Sequence, residues 1–147
     1  ASITRAADRH GGPAWSKDLS DVVLVDAPCS GSGAWRRNPH QKWRLTPERL
    51  TELQAVQASL VDDGARHTKT GGRLVYATCS LLGSENDDVA HAFLERHANF
   101  RLVPAAQAWK NAGLPTPAPL GVGEYFRASP YRTATDGFFA CIIERTG

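Results

Sequence analysis

The sequence predicts an α/β fold, half of a doubly wound sheet, and three observations carry that expectation. Residues 22–25 (Val-Val-Leu-Val) form an unbroken apolar run between Asp21 and Asp26, as in a strand buried on both faces. Residues 46–69 carry apolar side chains at three- and four-residue spacing, the signature of an amphipathic helix. Residues 73–78 (Arg-Leu-Val-Tyr-Ala-Thr) then form a second β-rich run. Strand, helix and strand in that order make the unit of a parallel sheet.

In chain order, residues 1–18 are polar and read as an irregular lead-in. The first strand stops at Ala27-Pro28-Cys29-Ser30-Gly31-Ser32-Gly33, a turn-rich loop. Thr46 and Pro47 suit the cap and first position of the helix. Leu50, Leu53, Gln57, Leu60 and Val61 form its stripe, with Val56 added, and Gly71-Gly72 end it. The second run stops at Cys79-Ser80. Ser84 reads as the N-cap of a second helix, with Glu85, Asp87 and Asp88 as an acidic first turn against the positive helix end. Val89, Phe93 and Leu94 are its inner face, and Arg96 and His97 its last turn. Residues 100–103 form a short strand. Residues 104–123, with Pro104, Pro115, Pro117 and Pro119, form a surface connection with Trp109 pinned to the body. Residues 137–144 are the last strand. Four strands are few for such a sheet.

The chain has 147 residues, 41% hydrophobic and 22% charged, which bounds it to one globular domain or part of one. Its longest apolar runs, 22–25 and 138–143, fall far short of the ~20 residues of a membrane helix. The start, Ala1-Ser2-Ile3-Thr4-Arg5, lacks a basic-then-apolar signal segment. Three cysteines are too few for a disulfide framework. A cytoplasmic protein with reduced thiols is expected, with no membrane and no metal partner.

The two strands that end in Cys-Ser place Cys29 and Cys79 at carboxyl ends on one sheet edge, where open α/β sheets take their ligands. Each cysteine precedes a helical start, and a helix N-terminus lowers a thiol pKa. With Asp26 beside them, they form a reactive constellation. Cys141, inside an apolar run, reads as core. The first loop departs from two other patterns. In a G-x-G-x-x-G pattern the third glycine falls at Arg36. In a phosphatase loop of Cys, five residues and Arg, the arginine position is taken by Trp35.

Between Asp26 and Glu48 there is no acidic residue, while Arg36, Arg37, Lys42 and Arg44 contribute +4 in a chain of net charge +2. Trp35, His40 and Trp43 are interleaved. Cations bind phosphates and tryptophan planes stack on splayed bases, so this stretch is expected to bind RNA.

These residues carry a family resemblance. Asp26-Ala27-Pro28-Cys29-Ser30-Gly31-Ser32-Gly33, with Arg36-Arg37-Asn38-Pro39 and Lys42-Trp43, resembles the fourth motif of Sun-type RNA (cytosine-5)-methyltransferases. Residues 71–80, followed by Glu85-Asn86, resemble their sixth motif, and Thr135-Asp136-Gly137-Phe138-Phe139 their eighth. The bacterial ribosomal small-subunit RNA enzymes are the nearest subgroup. Gly83-Ser84 departs from the family's Pro-Glu, a change confined to a loop.

The resemblance implies a partial Rossmann-like class I S-adenosylmethionine-dependent methyltransferase fold, its C-terminal half, acting on ribosomal RNA. It implies that Cys79 adds to C6 of the target cytosine and that Cys29 assists release of the product. Asp26 is implied as a contact to base and cofactor. The glycine-rich cofactor loop belongs upstream, so the missing N-terminal part of the same enzyme is the expected partner and this chain alone is expected to be incomplete. A non-catalytic RNA-binding fragment, or another cysteine-dependent enzyme such as a phosphatase or acyl transferase, remains the alternative.

Overall fold

The computed structural model describes residues 3–6, 18–115 and 121–147. Among these, six strands form one sheet in the order β1-β2-β3-β6-β4, with β5 also paired to β6. The strands are β1 (Ile3–Ala6), β2 (Ser20–Asp26), β3 (Thr68–Thr78), β4 (Phe100–Val103), β5 (Phe126–Ala128) and β6 (Phe138–Arg145). β1, β2 and β3 run parallel, whereas β6 lies antiparallel to β3, β4 and β5. The fold is thus a partial Rossmann-like sheet with a mixed far side.

Two strands lie where the sequence predicts none. Ile3–Ala6, inside the stretch read as an irregular lead-in, pairs residue for residue with Val22 to Val25. A strand apolar on both faces exposes ladder groups on any side left unpaired, and β1 satisfies that side. β5, three residues long, covers the start of β6.

Helix α1 (Pro47–Arg66) crosses from β2 to β3, which keeps them parallel. Thr46 caps it by accepting from the Arg49 N–H at 3.2 Å, and Pro47 opens it, as predicted. Leu53, Gln57, Val61 and Ala65, four residues apart, face the sheet. Val56 lies off that stripe and is exposed. The helix ends before the glycines expected to stop it. Thr68 Oγ1 donates to the Gly64 carbonyl at 2.9 Å, and β3 begins there. Gly71, at φ 77, then sits inside β3 where the register with β2 shifts, a bulge rather than a helix stop.

Helix α2 (Asp87–Arg96) begins two residues later than a Ser84 cap allows, because residues 83–85 form a 3-10 turn. Asp87 and Asp88 do occupy its first turn. Its Arg96 and His97 pair with Asp62 of α1. Helix α3 (Ala105–Asn111) occupies part of the predicted connection, and Trp109 donates to the Pro115 carbonyl at 2.7 Å within that same segment. Pro117 and Pro119 lie outside the described residues. A four-residue helix, α4 (Pro130–Thr133), precedes β6.

The core lies between sheet and helices. Val23, Val25, Leu74, Tyr76, Phe93, Phe139, Cys141 and Ile143 are essentially inaccessible to water. Cys141 is core, as read. No helix of the described residues is long and apolar enough to cross a membrane.

Candidate active site at the carboxyl ends of β2 and β3

β2 and β3 are parallel neighbours with Asp26 opposite Ala77, and the Ala27 N–H to Ala77 carbonyl bond at 2.9 Å carries the pairing one residue further. Both chains therefore leave the sheet on the same edge. Three residues beyond Asp26 comes Cys29, and one beyond Thr78 comes Cys79. Their Sγ atoms lie 3.3 Å apart, and both side chains are half-buried. The constellation expected from two Cys-Ser strand ends is assembled, with half-buried Asp26 at the end of β2.

The loops that carry the cysteines are tied together beneath them. Ser30 follows Cys29 and Ser80 follows Cys79, and both converge on Glu85. One Glu85 carboxylate oxygen accepts from the Ser30 N–H at 2.8 Å and from Gln57 Nε2 at 3.0 Å. The other accepts from Ser30 Oγ at 2.6 Å and Ser80 Oγ at 2.5 Å. Glu85, read from sequence as a helix-dipole charge, is fully buried in the 3-10 turn before α2. Asn86 beside it accepts from Thr78 Oγ1 and donates to the Ser80 carbonyl. Tyr76 donates to the Glu85 carbonyl at 2.5 Å. Gln57, a polar residue on an apolar stripe, also donates to the Pro28 carbonyl at 2.9 Å. That misfit on the stripe, like the Glu85-Asn86 pair of the sixth motif, is a signal in the sequence for the polar network here.

The Cys29 thiol is pushed far above its ordinary range, against the expectation of a lowered value. Its hydrogen bond with Cys79 is the main cause, burial the next, and the charges of Cys79 and Glu85 add to it, while the Gly31 N–H opposes. The expected helix ends are three-residue 3-10 turns, Ser32–Ala34 and Gly83–Glu85, which have no run of aligned peptides to build a dipole. The two sulfurs share one contact in which either can be the donor, and Cys29, pushed upward, is the member of the pair that keeps its proton. A sulfur that receives a hydrogen bond is favoured as the anion.

A third segment closes over the first. Gly33 donates to the Cys79 carbonyl at 3.0 Å, and Gly137 donates to the Gly33 carbonyl at 2.9 Å. The two glycines touch backbone to backbone: a Cβ on Gly33 would stand 2.5 Å from the Gly137 carbonyl oxygen. The motif ending at Phe139 is thereby docked against the Cys29 loop.

The basic stretch divides in two. Arg37 Nε lies 2.5 Å and Arg36 3.7 Å from Asp136, so these two arginines have an acidic partner that the local sequence does not reveal. Lys42 and Arg44 lie on an exposed 3-10 segment, Pro39–Arg44. Trp43 is 82% exposed, with Lys42 Nζ over one face of its ring, 5.5 Å from the centroid. Trp35 is half-buried and donates to the Ser30 carbonyl at 3.4 Å. Among the described residues no cluster of three or more His, Cys, Asp or Glu could hold a metal ion.

Residues 1–144 match the family described as "16S rRNA methyltransferase RsmB/F". A relative from Bacillus subtilis, "Probable ribosomal RNA small subunit methyltransferase B", is 35% identical over 144 residues, 95% of this chain and 30% of its own length. "Ribosomal RNA small subunit methyltransferase B" of Thermus thermophilus is 37% identical over 126 residues, 84% of this chain and 29% of its own. Among solved structures, a "Methyltransferase Homolog Protein" from Pyrococcus horikoshii superposes with a TM-score of 0.65 at 27% identity, covering 87% of this chain and 40% of that one. The chain spans about 30% of the length of these curated relatives.

Proposed function

Because the chain belongs to the 16S rRNA methyltransferase RsmB/F family, we propose that it carries the reacting thiols of an enzyme that methylates C5 of a cytosine in RNA, 16S ribosomal RNA in the first place. The 3.3 Å separation of the Cys29 and Cys79 sulfurs carries this reading. C5 of cytosine is a poor nucleophile until a group adds at C6, and the enzyme must then both make and break that bond. Two thiols in contact serve the two halves of that task.

Cys79 is the nucleophile. Its thiolate, receiving a hydrogen bond from Cys29, forms a C–S bond to C6 of a base drawn out of its stack. C5 becomes enamine-like and takes up the methyl group. Asp26, at the carboxyl end of β2, accepts from the exocyclic amino group on the polar edge of the base, while N3 takes up a proton from solvent as the electron pair displaced by attack at C6 reaches it. The same carboxylate fits one point of a cofactor, on the edge where open α/β sheets take ligands. S-adenosylmethionine, when bound, supplies the electrophilic methyl group.

Cys29 resolves the adduct, and its chemistry changes at the right moment. What keeps its proton in place is chiefly the Cys79 sulfur. Once that sulfur is bonded to carbon it is a neutral thioether, the larger part of the restraint is gone while burial remains, and Cys29 can pass its proton to solvent. The Cys29 thiolate then takes the C5 proton. The C5–H electron pair forms the C5–C6 double bond, and the Cys79 thiolate leaves.

Arg36, Arg37, Lys42 and Arg44 are the RNA phosphate contacts in this reading, with Trp43 as a stacking surface. Methylation of small-subunit RNA by the full-length protein, followed by mass spectrometry of the released nucleosides, tests the whole proposal. 5-Methylcytidine is expected; a methyl group on another base or on ribose overturns it.

A further inference from the structure

We propose that Glu85 is a positioning residue of this active site, its buried carboxylate fixing the Cys29 loop against the Cys79 loop through Ser30 and Ser80 so that the two sulfurs face each other. The catalytic meaning of this inference rests on the two-thiol reading above; its geometric content does not.

Four donors from three segments converge on one carboxylate: the Ser30 N–H, Ser30 Oγ, Ser80 Oγ and Gln57 Nε2. Two of these residues each adjoin a cysteine, and Gln57 anchors the assembly to α1. Among the described residues no basic side chain pairs with Glu85, although it is fully buried. A buried anion without a cation is costly, so its hydrogen bonds must supply the compensation. A carboxylate accepts two hydrogen bonds on each oxygen and donates none. It can therefore draw two hydroxyls and two N–H groups to one point, which a neutral side chain of the same size cannot do. The hydroxyls then become fixed donors. Ser30 Oγ and Ser80 Oγ are brought to 3.3 Å of each other, the same spacing as the sulfurs one residue earlier in each loop. The remaining ties reinforce the register: Ser32 Oγ lies 3.0 Å from Ser80 Oγ and accepts from the Leu81 N–H at 2.8 Å.

Removing the charge while keeping the volume should leave a folded protein whose loops are no longer held in register. Glu85→Gln places an amide NH2 where Ser30 and Ser80 now donate. The thiol pair can be read directly with phenylarsine oxide, which binds tightly only when two thiols reach one arsenic atom. The full chain is expected to capture it through Cys29 and Cys79. In Glu85→Gln that capture should weaken about a hundredfold, because losing the second thiol removes the intramolecular advantage of two-point binding. The count of three thiols after denaturation should not change. In the full-length enzyme, Glu85→Gln should lower kcat about a hundredfold with KM for RNA unchanged, as expected when reacting groups are displaced by about an ångström.

Ser30→Ala with Ser80→Ala cuts the same ties while leaving the carboxylate in place, and carries the test if Glu85→Gln does not unfold cooperatively. Undiminished arsenical capture in whichever variant folds overturns the positioning role. Loss of capture by a full-length protein that does not methylate cytosine would sustain the positioning role and overturn the proposed function instead.

Discussion

Arg37 donates from Nε to Oδ2 of Asp136 at 2.5 Å, joining residues 99 positions apart in the chain. Arg36 approaches the other oxygen of the same carboxylate at 3.7 Å. The arginines proposed to meet phosphates thus already have a partner, and RNA must compete with it. Exposed ion pairs of this kind contribute about 0–1 kcal/mol, so competition is inexpensive.

Replacing Arg36, Arg37 and Lys42 with alanine together should flatten the log–log salt dependence of single-stranded RNA binding by about 2, at about 0.7 for each phosphate contact. Asp136→Asn should act in the other direction, tightening binding by up to about fivefold at fixed salt, since the arginines no longer leave a partner. Fluorescence anisotropy at several salt concentrations reads both. An unchanged slope in the triple variant removes these residues from the phosphate interface.

The roles of the two thiols separate by what accumulates. With labelled cofactor and RNA, Cys79→Ser should give neither methylation nor a covalent complex, because a serine hydroxyl is too weak a nucleophile to add at C6. Cys29→Ala should form the adduct and fail to release it, so a protein–RNA band should survive denaturing electrophoresis. The reverse pattern would exchange the assignments.

The parallel pair and its two loops are legible in sequence because residues 22–25 are apolar without interruption and both runs end in Cys-Ser. β1 and β5 are not legible: four and three residues carry no measurable period, and they are strands because β2 and β6 offer ladder groups to pair with. Glu85 is misread for a related reason. An acidic residue just before a helix is ordinarily an exposed dipole partner, and only tertiary burial against Ser30, Ser80 and Gln57 turns it inward. The link from Arg37 to Asp136 spans 99 positions of a 147-residue chain, so no local pattern could reveal it.

The contact between Gly33 and Gly137 predicts a steric dependence. Gly33→Ala brings a Cβ within 2.5 Å of the Gly137 carbonyl oxygen, and Gly137→Ala brings one within 2.6 Å of Gly33 Cα and of a Leu81 methyl group. Backbone cannot give way as a side-chain tip can. Each variant should lose about 1–3 kcal/mol in urea unfolding, the usual cost of overpacking. Gly123→Ala, where a Cβ meets nothing within 4 Å, should stay within about 0.5 kcal/mol. Equal stability of all three variants would mean that the segments are not in contact.

Labelling at Cys29 tests which sulfur holds the proton. In the free protein Cys29 is pushed far above its ordinary range, first by the hydrogen bond with Cys79, then by burial, then by the charge of Cys79. Two of these three causes belong to one neighbour, and Cys79→Ala removes both. The thiolate of Cys29 then loses a repelling charge, and its thiol loses the partner that held the proton, so both changes lower the pKa. Burial remains, so the value should still lie above the ordinary thiol range. Iodoacetamide alkylation followed by peptide mass spectrometry across pH 7 to 11, a range chosen to span the ordinary thiol value of about 8.5, reads the titration at Cys29 alone. In the unsubstituted chain Cys29 should resist labelling across most of that range. In Cys79→Ala the onset of Cys29 labelling should move down by at least about one pH unit, the size of shift a close charged or hydrogen-bonding neighbour produces. The variant stands in for the covalent adduct, in which the Cys79 sulfur is present but can neither accept that proton nor carry charge. If the onset of labelling stays where it was, the Cys79 sulfur does not control Cys29, and the release of the C5 proton must be assigned to another group.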